Sequence, residues 1–293
     1  MNLVGTVASI VTPVFLLAAI GFAWVRLGFD YPLQFVTRLA MTLALPCLLF
    51  VALMRAQAEP GALAQVALAA IAAQVSIIVV ASILLKLGRY EPRTYLSPLV
   101  FGNTGNLGLP LALFAFGQEG LEIAVVVFAI SIFFMFSLGI RFVAGRGAIR
   151  RILREPLIWA TLLGGVFLWQ GWETPPVLTR TLDLIGQMAI PLMLITLGVA
   201  VARLSASNLT GALGLSVIKL VTCAAIAWGI GRAFGLTDTA FGVLVLQMAT
   251  PVAVTAYLLA ARYEADAETV AGLVVASTLL AVPGLSLLLA LLL

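Results

Sequence analysis

Long apolar runs separated by short charged loops occupy nearly the whole sequence. About 20 apolar residues are needed for an α-helix to cross a bilayer. Because 63% of the residues are hydrophobic and only 10% are charged, a water-soluble fold could not cover this much apolar surface. The sequence therefore predicts an all-α polytopic membrane protein with ten transmembrane helices. The ten runs lie at residues 3–25, 33–54, 62–87, 94–117, 121–143, 157–170, 177–201, 209–234, 239–261 and 267–292.

The distribution of Lys and Arg between the loops predicts the orientation of the chain. Eleven basic residues lie in or beside odd-numbered loops and three beside even-numbered loops. Loops rich in Lys and Arg stay in the cytoplasm, so we expect a multi-pass protein of the cell inner membrane with both termini outside, in the periplasm. The net charge of +4 resides in these loops, so no nucleic-acid partner is predicted. The odd set is Arg26, Lys86, Arg89, Arg93, Arg141, Arg146, Arg150, Arg151, Arg154, Arg203 and Arg262, and the even set is Arg55, Arg180 and Arg232.

Prolines and glycines recur at matching positions in the two halves of the chain. Pro13 opens the first run and Pro156 the sixth, and Gly21 and Gly164 follow them at the same distance. Equivalent runs are five spans apart, and because five is odd, the second half must be inverted relative to the first. This is the inverted repeat of many secondary transporters. Two further proline pairs match, Pro32 with Pro175 and Pro46 with Pro191.

The repeat also predicts how the chain is divided. The first five-helix repeat is expected at residues 1–143, a cytoplasmic linker at 144–155, and the second, inverted five-helix repeat at 156–293. The linker contains the densest group of arginines in the sequence. Such a group on the cytoplasmic side favours contact with anionic lipid of the bilayer.

The fourth run is interrupted at its centre by residues that weaken a helix. Residues 101–110 read Phe-Gly-Asn-Thr-Gly-Asn-Leu-Gly-Leu-Pro. Glycine and proline both destabilise a helix interior, and unpaired backbone is tolerated at membrane depth only where protein or a watery cavity covers it. Gly102, Gly108 and Pro110 are the predicted helix-breaking residues. An ordinary kink for packing is the alternative, but two asparagines within the break favour a discontinuous helix at a substrate site.

The inverted repeat predicts a matching break in the ninth run, where Pro251 stands at the centre. Two broken helices at equivalent positions should cross near the middle of the bilayer, and their freed amide ends carry partial positive charge. The alternative for Thr250 and Thr255 is that each hydroxyl only satisfies the backbone of its own helix. The predicted substrate-binding residues of the two breaks are Asn103, Thr104, Gly105, Asn106, Gln247, Thr250, Pro251 and Thr255.

Lys219 completes the predicted substrate-binding set, because it lies well inside the eighth run. A lone charge at the bilayer centre costs about 2.5–3.5 kcal/mol on insertion scales, so it usually faces protein or a cavity. Pairing with an anionic substrate would explain the lysine. Snorkelling toward the interface or an ion pair with Asp183 would explain it equally well.

Both interrupted stretches resemble the auxin efflux carrier family. Residues 103–111, Asn-Thr-Gly-Asn-Leu-Gly-Leu-Pro-Leu, look like its glycine-rich motif, and residues 249–263 are similar to its second crossover helix and the loop that follows. The resemblance covers essentially the whole chain, which, like compact bacterial members, lacks the long central loop of the plant carriers. The chain departs from the pattern at Thr255, where the family commonly has asparagine, and this argues against transfer of the plant substrate, an indole carboxylate.

The resemblance implies a fold shared with the bile-acid sodium symporters. Spans one, two, six and seven would form a scaffold, and spans three to five and eight to ten a moving crossover domain. It also implies a secondary transporter that exports or exchanges small organic anions, auxin-like carboxylates or dicarboxylates, by alternating access at the crossover. The alternative is a sodium-coupled symporter of the bile-acid type, with sodium held by neutral oxygens because no acidic residue lies near the centre of a run.

Other functions have less support in the sequence. Histidine is absent, and Cys47 and Cys223 have no ligand-like spacing around them, so no metal site and no cofactor are predicted. Without a nucleophile, base or metal at depth, a membrane enzyme is not expected. A membrane receptor or structural protein is the non-transport alternative. Coupling to a proton or to sodium, and a homodimer formed through the scaffold spans, are left open.

Overall fold

The computed structural model of the protein describes residues 3–144, 155–204 and 209–293. No β-strand occurs among these residues, which are mostly α-helical. All but the two end residues of the linker expected at 144–155 lie outside the described residues. The helices, labelled in chain order, are α1 (Leu3–Arg26), α2 (Leu33–Leu39), α3 (Leu45–Met54), α4 (Pro60–Gly88), α5 (Pro92–Val100), α6 (Leu109–Phe134), α7 (Ile140–Ala144), α8 (Pro156–Gln170), α9 (Pro176–Gln187), α10 (Ala189–Arg203), α11 (Leu209–Ala233), α12 (Asp238–Met248), α13 (Val254–Arg262) and α14 (Ala267–Leu292).

Seven helical segments in the described part of the chain are long and apolar enough to cross a membrane. The all-helical membrane class is therefore confirmed, whereas the count of ten helices and the inverted repeat remain predictions. Predicted runs four and nine have no uninterrupted helix of that length, and run six corresponds to the shorter α8. The seven segments are Leu3–Arg26, Leu33–Met54, Pro60–Gly88, Thr104–Val143, Pro176–Arg203, Thr210–Ala233 and Ala267–Leu292.

Two widened helical turns precede prolines. The π-helical turn Ala40–Ala44 joins α2 to α3 and ends two residues before Pro46, and the π-helical turn Thr104–Gly108 leads into α6 just before Pro110. Proline donates no backbone hydrogen bond and its ring crowds the preceding turn, so a widened turn accommodates it without ending the helix. A break of another kind occurs at Gly117, where φ is +67° and the helical conformation of α6 is interrupted.

Close helix pairs hold the molecule together around buried glycines. α1 packs along α10, where a Cβ at Gly21 or at Gly198 would overlap the backbone of the facing helix. α8 packs on α3 in the same manner, and a Cβ at Gly164 would lie 3.1 Å from the carbonyl oxygen of Phe50. Small residues let membrane helices approach closely, which increases van der Waals contact where the hydrophobic effect offers little. The pairs join the first predicted run to the seventh and the sixth to the second.

Candidate substrate-binding site

The fourth and ninth predicted runs are each unwound at their centre. In the first, α5 ends at Val100 and helical structure resumes at Thr104; in the second, α12 ends at Met248 and α13 begins at Val254. The two unwound segments, residues 101–103 and 249–253, cross and pair with each other. The amide of Asn103 donates to the carbonyl of Pro251 at 2.7 Å, and the amide of Ala253 donates to the carbonyl of Phe101 at 3.2 Å. These bonds replace the helical bonds that the breaks remove.

Side chains from neighbouring helices satisfy further backbone groups at the crossing. The hydroxyl of Ser277 accepts from the amide of Val252 at 3.0 Å. On the carbonyl side, the ammonium group of Lys219 donates to the carbonyl of Thr250 at 2.9 Å. Because exposed backbone is not tolerated in lipid, these hydrogen bonds explain how the unwound crossing is stable inside the molecule.

The glycines of the first break allow the two segments to approach each other. A Cβ at Gly102 would overlap the hydroxyl of Thr250, and a Cβ at Gly108 would overlap the side-chain oxygen of Gln247. A larger residue at Gly102 would crowd Thr250 of the second segment, and one at Gly108 would displace the side chain of Gln247 at the end of α12. The predicted helix-breaking glycines therefore also serve as the contact surface for the partner segment.

Asn103 uses the two ends of its amide differently. Its side-chain oxygen accepts from the amide of Asn106 at 3.3 Å and caps the helical structure that starts at Thr104. Its side-chain NH₂ group is buried and has no hydrogen-bond partner among the residues that the structure describes, while the residue as a whole is only 6% exposed. A buried donor without a partner carries a free-energy penalty of about 1–3 kcal/mol, so this NH₂ group is a strong candidate for contact with a ligand.

Two helix N-termini meet at one cavity of about 800 Å³ beside Asn103. One helix starts at Thr104 and the other at Val254, and the first two amides of each helix have no acceptor among the described residues. Helix N-termini carry unpaired amides and partial positive charge. Both features favour an anion in this cavity, which we call the crossover cavity.

The predicted site residues divide into those that line this cavity and those that do not. Neither Asn106 nor Thr255 has a side-chain hydrogen bond to any residue in the described ranges, so both polar groups are available to a ligand. The lining residues from the predicted set are Gly102, Asn103, Thr104, Gly105, Asn106 and Thr255, and those placed elsewhere are Gly108, Pro110, Lys219, Gln247, Thr250 and Pro251.

The polar residues of the second break lie behind the crossing. Gln247 is completely buried, and neither polar atom of its side chain has a hydrogen-bond partner in the described ranges. The hydroxyl of Thr250 donates to the carbonyl of Gln247 at 2.7 Å, which matches the alternative that it satisfies its own helix. Gln247 and Thr250 thus contact Gly108 and Gly102 of the first break without lining the crossover cavity.

Lys219 lies beneath the second break and is 3% exposed. Its bond to the carbonyl of Thr250 places positive charge where the end of α12 concentrates unpaired carbonyls. The proposed partner Asp183 instead lies 3.5 Å from Arg55. A lysine that is only 3% exposed does not fit the snorkelling alternative either. The geometry favours a structural role at the helix end.

Three arginines in the crossover cavity were not part of the predicted site. Arg203 and Arg262 were assigned to loops, and Arg38 lies near the start of the second run. Arg38 lies in the last turn of α2, two residues before the π-helical turn Ala40–Ala44. Arg38 is the arginine that neither the odd nor the even set of loops includes, and this was the sequence signal for it.

A second cavity of about 870 Å³ lies on the side of the even-numbered loops, and we call it the acidic cavity. Glu119, Glu122 and Asp183 line it together with Arg55. Glu122 is buried, and its carboxylate accepts from the amide of Gln57 at 3.2 Å. Among the described residues, no group of three or more His, Cys, Asp or Glu side chains is placed to hold a metal ion.

Comparison with known proteins relates the chain to membrane transporters. The chain is 30% identical over 192 residues to an uncharacterized transporter of Methanothermobacter thermautotrophicus and 26% identical over 193 residues to another of Methanocaldococcus jannaschii. These matches span 63% and 61% of the lengths of the two relatives and the same shares of this chain. Over 302 aligned positions it is 24% identical to a Rhizobium meliloti protein named "Putative malonate transporter", covering 94% of this chain and 92% of that protein.

A family model described as "Membrane transport protein" matches residues 6–152 and 148–289 of the chain. The two matches together cover nearly the whole sequence and include both unwound segments. The resemblance to the auxin efflux carriers that rested on those two segments is therefore confirmed. The chain belongs to the membrane transport protein family, that of the auxin efflux carriers.

Proposed function

We propose that the protein is a secondary transporter of small organic anions, with the substrate bound at the crossover. The convergence of two helix N-termini on one cavity that also contains the unpartnered NH₂ group of Asn103 carries this proposal. Helix N-termini favour an anion by about 0.3–1 kcal/mol each when exposed and up to about 2 kcal/mol when partly buried. Hydrogen bonds to a charged group contribute about 1.5–3 kcal/mol each. A carboxylate matches this set of donors better than a cation or a neutral solute does.

The helix packing supports the inverted repeat on which alternating access depends. In an inverted repeat, run one is equivalent to run six and run seven to run two. A contact between runs one and seven, the α1–α10 pair, therefore predicts a contact between runs six and two, the α8–α3 pair. Both pairs are observed. Runs one, two, six and seven would then form the scaffold, and the remaining runs the crossover domain. On this division the crossover cavity lies between the two bodies, with α2 and α10 on one wall and the unwound segments on the other.

The crossover cavity lies on the side of the odd-numbered loops. Its lining includes the exposed residues Arg38, Arg203 and Arg262, close to the first, seventh and ninth loops. If the predicted orientation holds, the site in this conformation is accessible from the cytoplasm, and export begins from this state. A rigid-body movement of the crossover domain would then expose the site on the other side.

Short carboxylates and dicarboxylates are the first substrates to test. A relative that matches over 94% of this chain is named for malonate, and the substrates expected from the sequence already included dicarboxylates. A homodimer through the scaffold spans stays a prediction. Membership of a transport family supports transport over the receptor or structural alternative and over an enzyme.

Transport by purified protein in liposomes tests the proposal. We expect labelled malonate to exchange against internal malonate, and net uptake to rise when the liposome interior is made positive, because an anion carries negative charge inward. The variant Asn103→Asp, which keeps the capping oxygen and replaces the NH₂ donor by a negatively charged oxygen, should reduce exchange by at least tenfold. Exchange no faster than in protein-free liposomes, across a panel of mono- and dicarboxylates, would contradict the proposal.

Sodium coupling remains the second candidate, and one observation favours it. The buried side-chain oxygen of Gln247 accepts no hydrogen bond within the described part of the chain and lies close to the carbonyl end of α12, where neutral oxygens are concentrated. Sodium coupling predicts that an inward sodium gradient drives malonate accumulation and that Gln247→Leu abolishes this effect. Uptake that responds to potential but not to sodium would exclude the coupling and leave the anion proposal intact.

A further inference from the structure

Arg38 brings a guanidinium group into the crossover cavity from the scaffold side. It lies in α2, five residues after Leu33, and lines the cavity together with Asn103 and the two helix N-termini. Its side chain makes no hydrogen bond or ion pair with any residue in the ranges that the structure describes. A guanidinium group offers five N–H donors and always carries charge. Its donors therefore remain available to an anion that enters the cavity.

The other two arginines of the cavity are already engaged. Arg203 donates to the carbonyl of Tyr31 at 2.7 Å, and the hydroxyl of Tyr31 in turn contacts that of Thr196 at 2.8 Å. Arg262 lies over the ring of Tyr263, 6.0 Å from its centre. Arg203 thus fixes the first loop against α10, and Arg262 packs at the end of α13. Arg38 is the cavity arginine whose side chain has neither a hydrogen bond nor a ring contact within the described residues.

We propose that Arg38 binds the second carboxylate of a dicarboxylate substrate whose first carboxylate lies at the crossover. This inference rests on the proposed function and specifies the class of anion that the site selects. Arg38 stands on the scaffold wall, whereas Asn103 and the helix N-termini stand on the opposite wall. A dicarboxylate whose length matches the gap between the walls would place one charge at each wall, whereas a monocarboxylate of the same length carries a charge at one end only.

The chemistry of the two ends suits this division. The crossover offers single N–H groups from two helix ends, which fit one carboxylate, and the guanidinium group offers a planar pair of donors that binds a carboxylate in a bidentate manner. Lysine cannot reproduce that geometry, since its ammonium group is a point charge on a flexible stem. Arg38→Lys should therefore restore only part of the selectivity that Arg38→Gln removes.

The test measures direct binding of a chain-length series to purified protein. Linear dicarboxylates with three to six carbons are compared with the monocarboxylate of each length, for wild type, Arg38→Gln, Arg38→Lys and the control Arg180→Gln. Arg180 is exposed and lines neither cavity. We expect wild type and Arg180→Gln to bind one dicarboxylate length at least tenfold more tightly than its monocarboxylate. Arg38→Gln should lose this preference and keep monocarboxylate binding within about threefold, which also shows that the variant is folded.

The other outcomes separate this inference from the proposed function. If Arg38→Gln keeps the dicarboxylate preference, or if wild type shows none, the assignment of Arg38 is wrong and the anion site at the crossover stands. If Arg38→Gln weakens mono- and dicarboxylates equally, Arg38 only attracts anions in general, and the assignment is again wrong. If wild type binds no carboxylate of any length, the proposed function itself fails.

Discussion

Asn103 links the break in the backbone to the chemistry of the cavity. Its backbone amide holds the second unwound segment, its side-chain oxygen caps the first, and its NH₂ group remains for a ligand. Replacing Asn103 therefore affects either the fold or the ligand. Aspartate keeps both hydrogen bonds and replaces the NH₂ donor by a negatively charged oxygen, which makes Asn103→Asp the most informative substitution at the site.

Gly102→Ala should destabilise the crossing. The added Cβ would overlap the hydroxyl of Thr250, and overpacking of this kind costs about 1–3 kcal/mol. The double variant Gly102→Ala/Thr250→Ala removes the overlapping atom and should recover most of the loss. Thermal unfolding in detergent measures the effect, with Gly165→Ala as a control because no atom lies within 4 Å of a Cβ there. Equal unfolding temperatures for Gly102→Ala and wild type would refute the close approach of the two segments.

Lys219→Met should affect stability more than binding. It removes the donor to the carbonyl of Thr250, and a hydrogen bond to a charged group is worth about 1.5–3 kcal/mol. Because Lys219 does not line the crossover cavity, we expect carboxylate affinity to stay within about threefold of wild type. The control is Lys86→Met, an exposed lysine at the end of α4. Weaker binding at unchanged stability would instead assign Lys219 to the substrate.

At the residue level, the sequence predicted the first break better than the second. Asn103 and Asn106 alternate with Gly102, Gly105 and Gly108 in a stretch that cannot continue a regular helix, so their place in the break could be inferred. For Gln247 and Lys219, the facing direction depends on how α12 and α11 are rotated against the first break. That rotation is set by tertiary packing around Gly108, and the polarity of a residue gives no information about it.

At the level of elements, helix ends determine where charge is placed. The N-termini at Thr104 and Val254 face the crossover cavity, while the carbonyl end of α12 faces Lys219. The positions of both breaks were predictable from glycine, asparagine and proline. The backbone pairing between residues 101–103 and 249–253 was not, because it joins segments about 150 residues apart and leaves no local pattern. The widened turn Ala40–Ala44 likewise had no sequence signal beyond Pro46.

The N-cap of α14 provides a pH-dependent test of an element outside the site. Asp266 accepts from the amide and the hydroxyl of Thr269 at 3.0 and 2.6 Å, and these hydrogen bonds lower the pKa of its carboxyl below the ordinary value. A lowered pKa means that the stabilisation is present above the ordinary pKa of about 4 and is lost as the pH falls through the folded-state value.

Asp266→Ala should therefore cost about 1 kcal/mol at pH 7, and the difference from wild type should shrink at pH 3. Asp266→Asn retains a capping oxygen without a titrating group, so its stability relative to Asp266→Ala should not change with pH. Unfolding in detergent at both pH values measures this. A difference between wild type and Asp266→Ala that is constant from pH 7 to pH 3 would contradict the cap.

For the whole molecule, the two cavities differ in charge. The crossover cavity contains three arginines and one glutamate, whereas the acidic cavity contains three carboxylate residues and one arginine. The two cavities lie on opposite sides of the crossing, toward odd- and even-numbered loops. An anion is therefore attracted from the odd-loop side and repelled on the other side, which fits a carrier that loads from the side of the odd loops.

Cysteine labelling determines which side that is. The predicted orientation places Asp30, in the first loop, in the cytoplasm and Glu173, in the sixth, outside. In a chain with Cys47→Ser and Cys223→Ala, a membrane-impermeant maleimide should label Glu173→Cys in intact cells and Asp30→Cys only after the membrane is opened. Both positions are exposed, and each substitution removes one negative charge. Labelling of Asp30→Cys in intact cells would show that the orientation is opposite to the predicted one, and that the anion is loaded from outside the cell.

The central claim is that the crossing of two broken helices forms a site for an anion. Calorimetric binding of one carboxylate and of its neutral amide to wild type and Asn103→Asp tests it most directly. We expect wild type to bind the acid at least tenfold more tightly than the amide, which corresponds to a difference in binding free energy of about 1.4 kcal/mol. Asn103→Asp should lose that preference while it still unfolds at a temperature close to that of wild type. Equal affinity of wild type for acid and amide, or an unchanged preference in Asn103→Asp, would contradict the account.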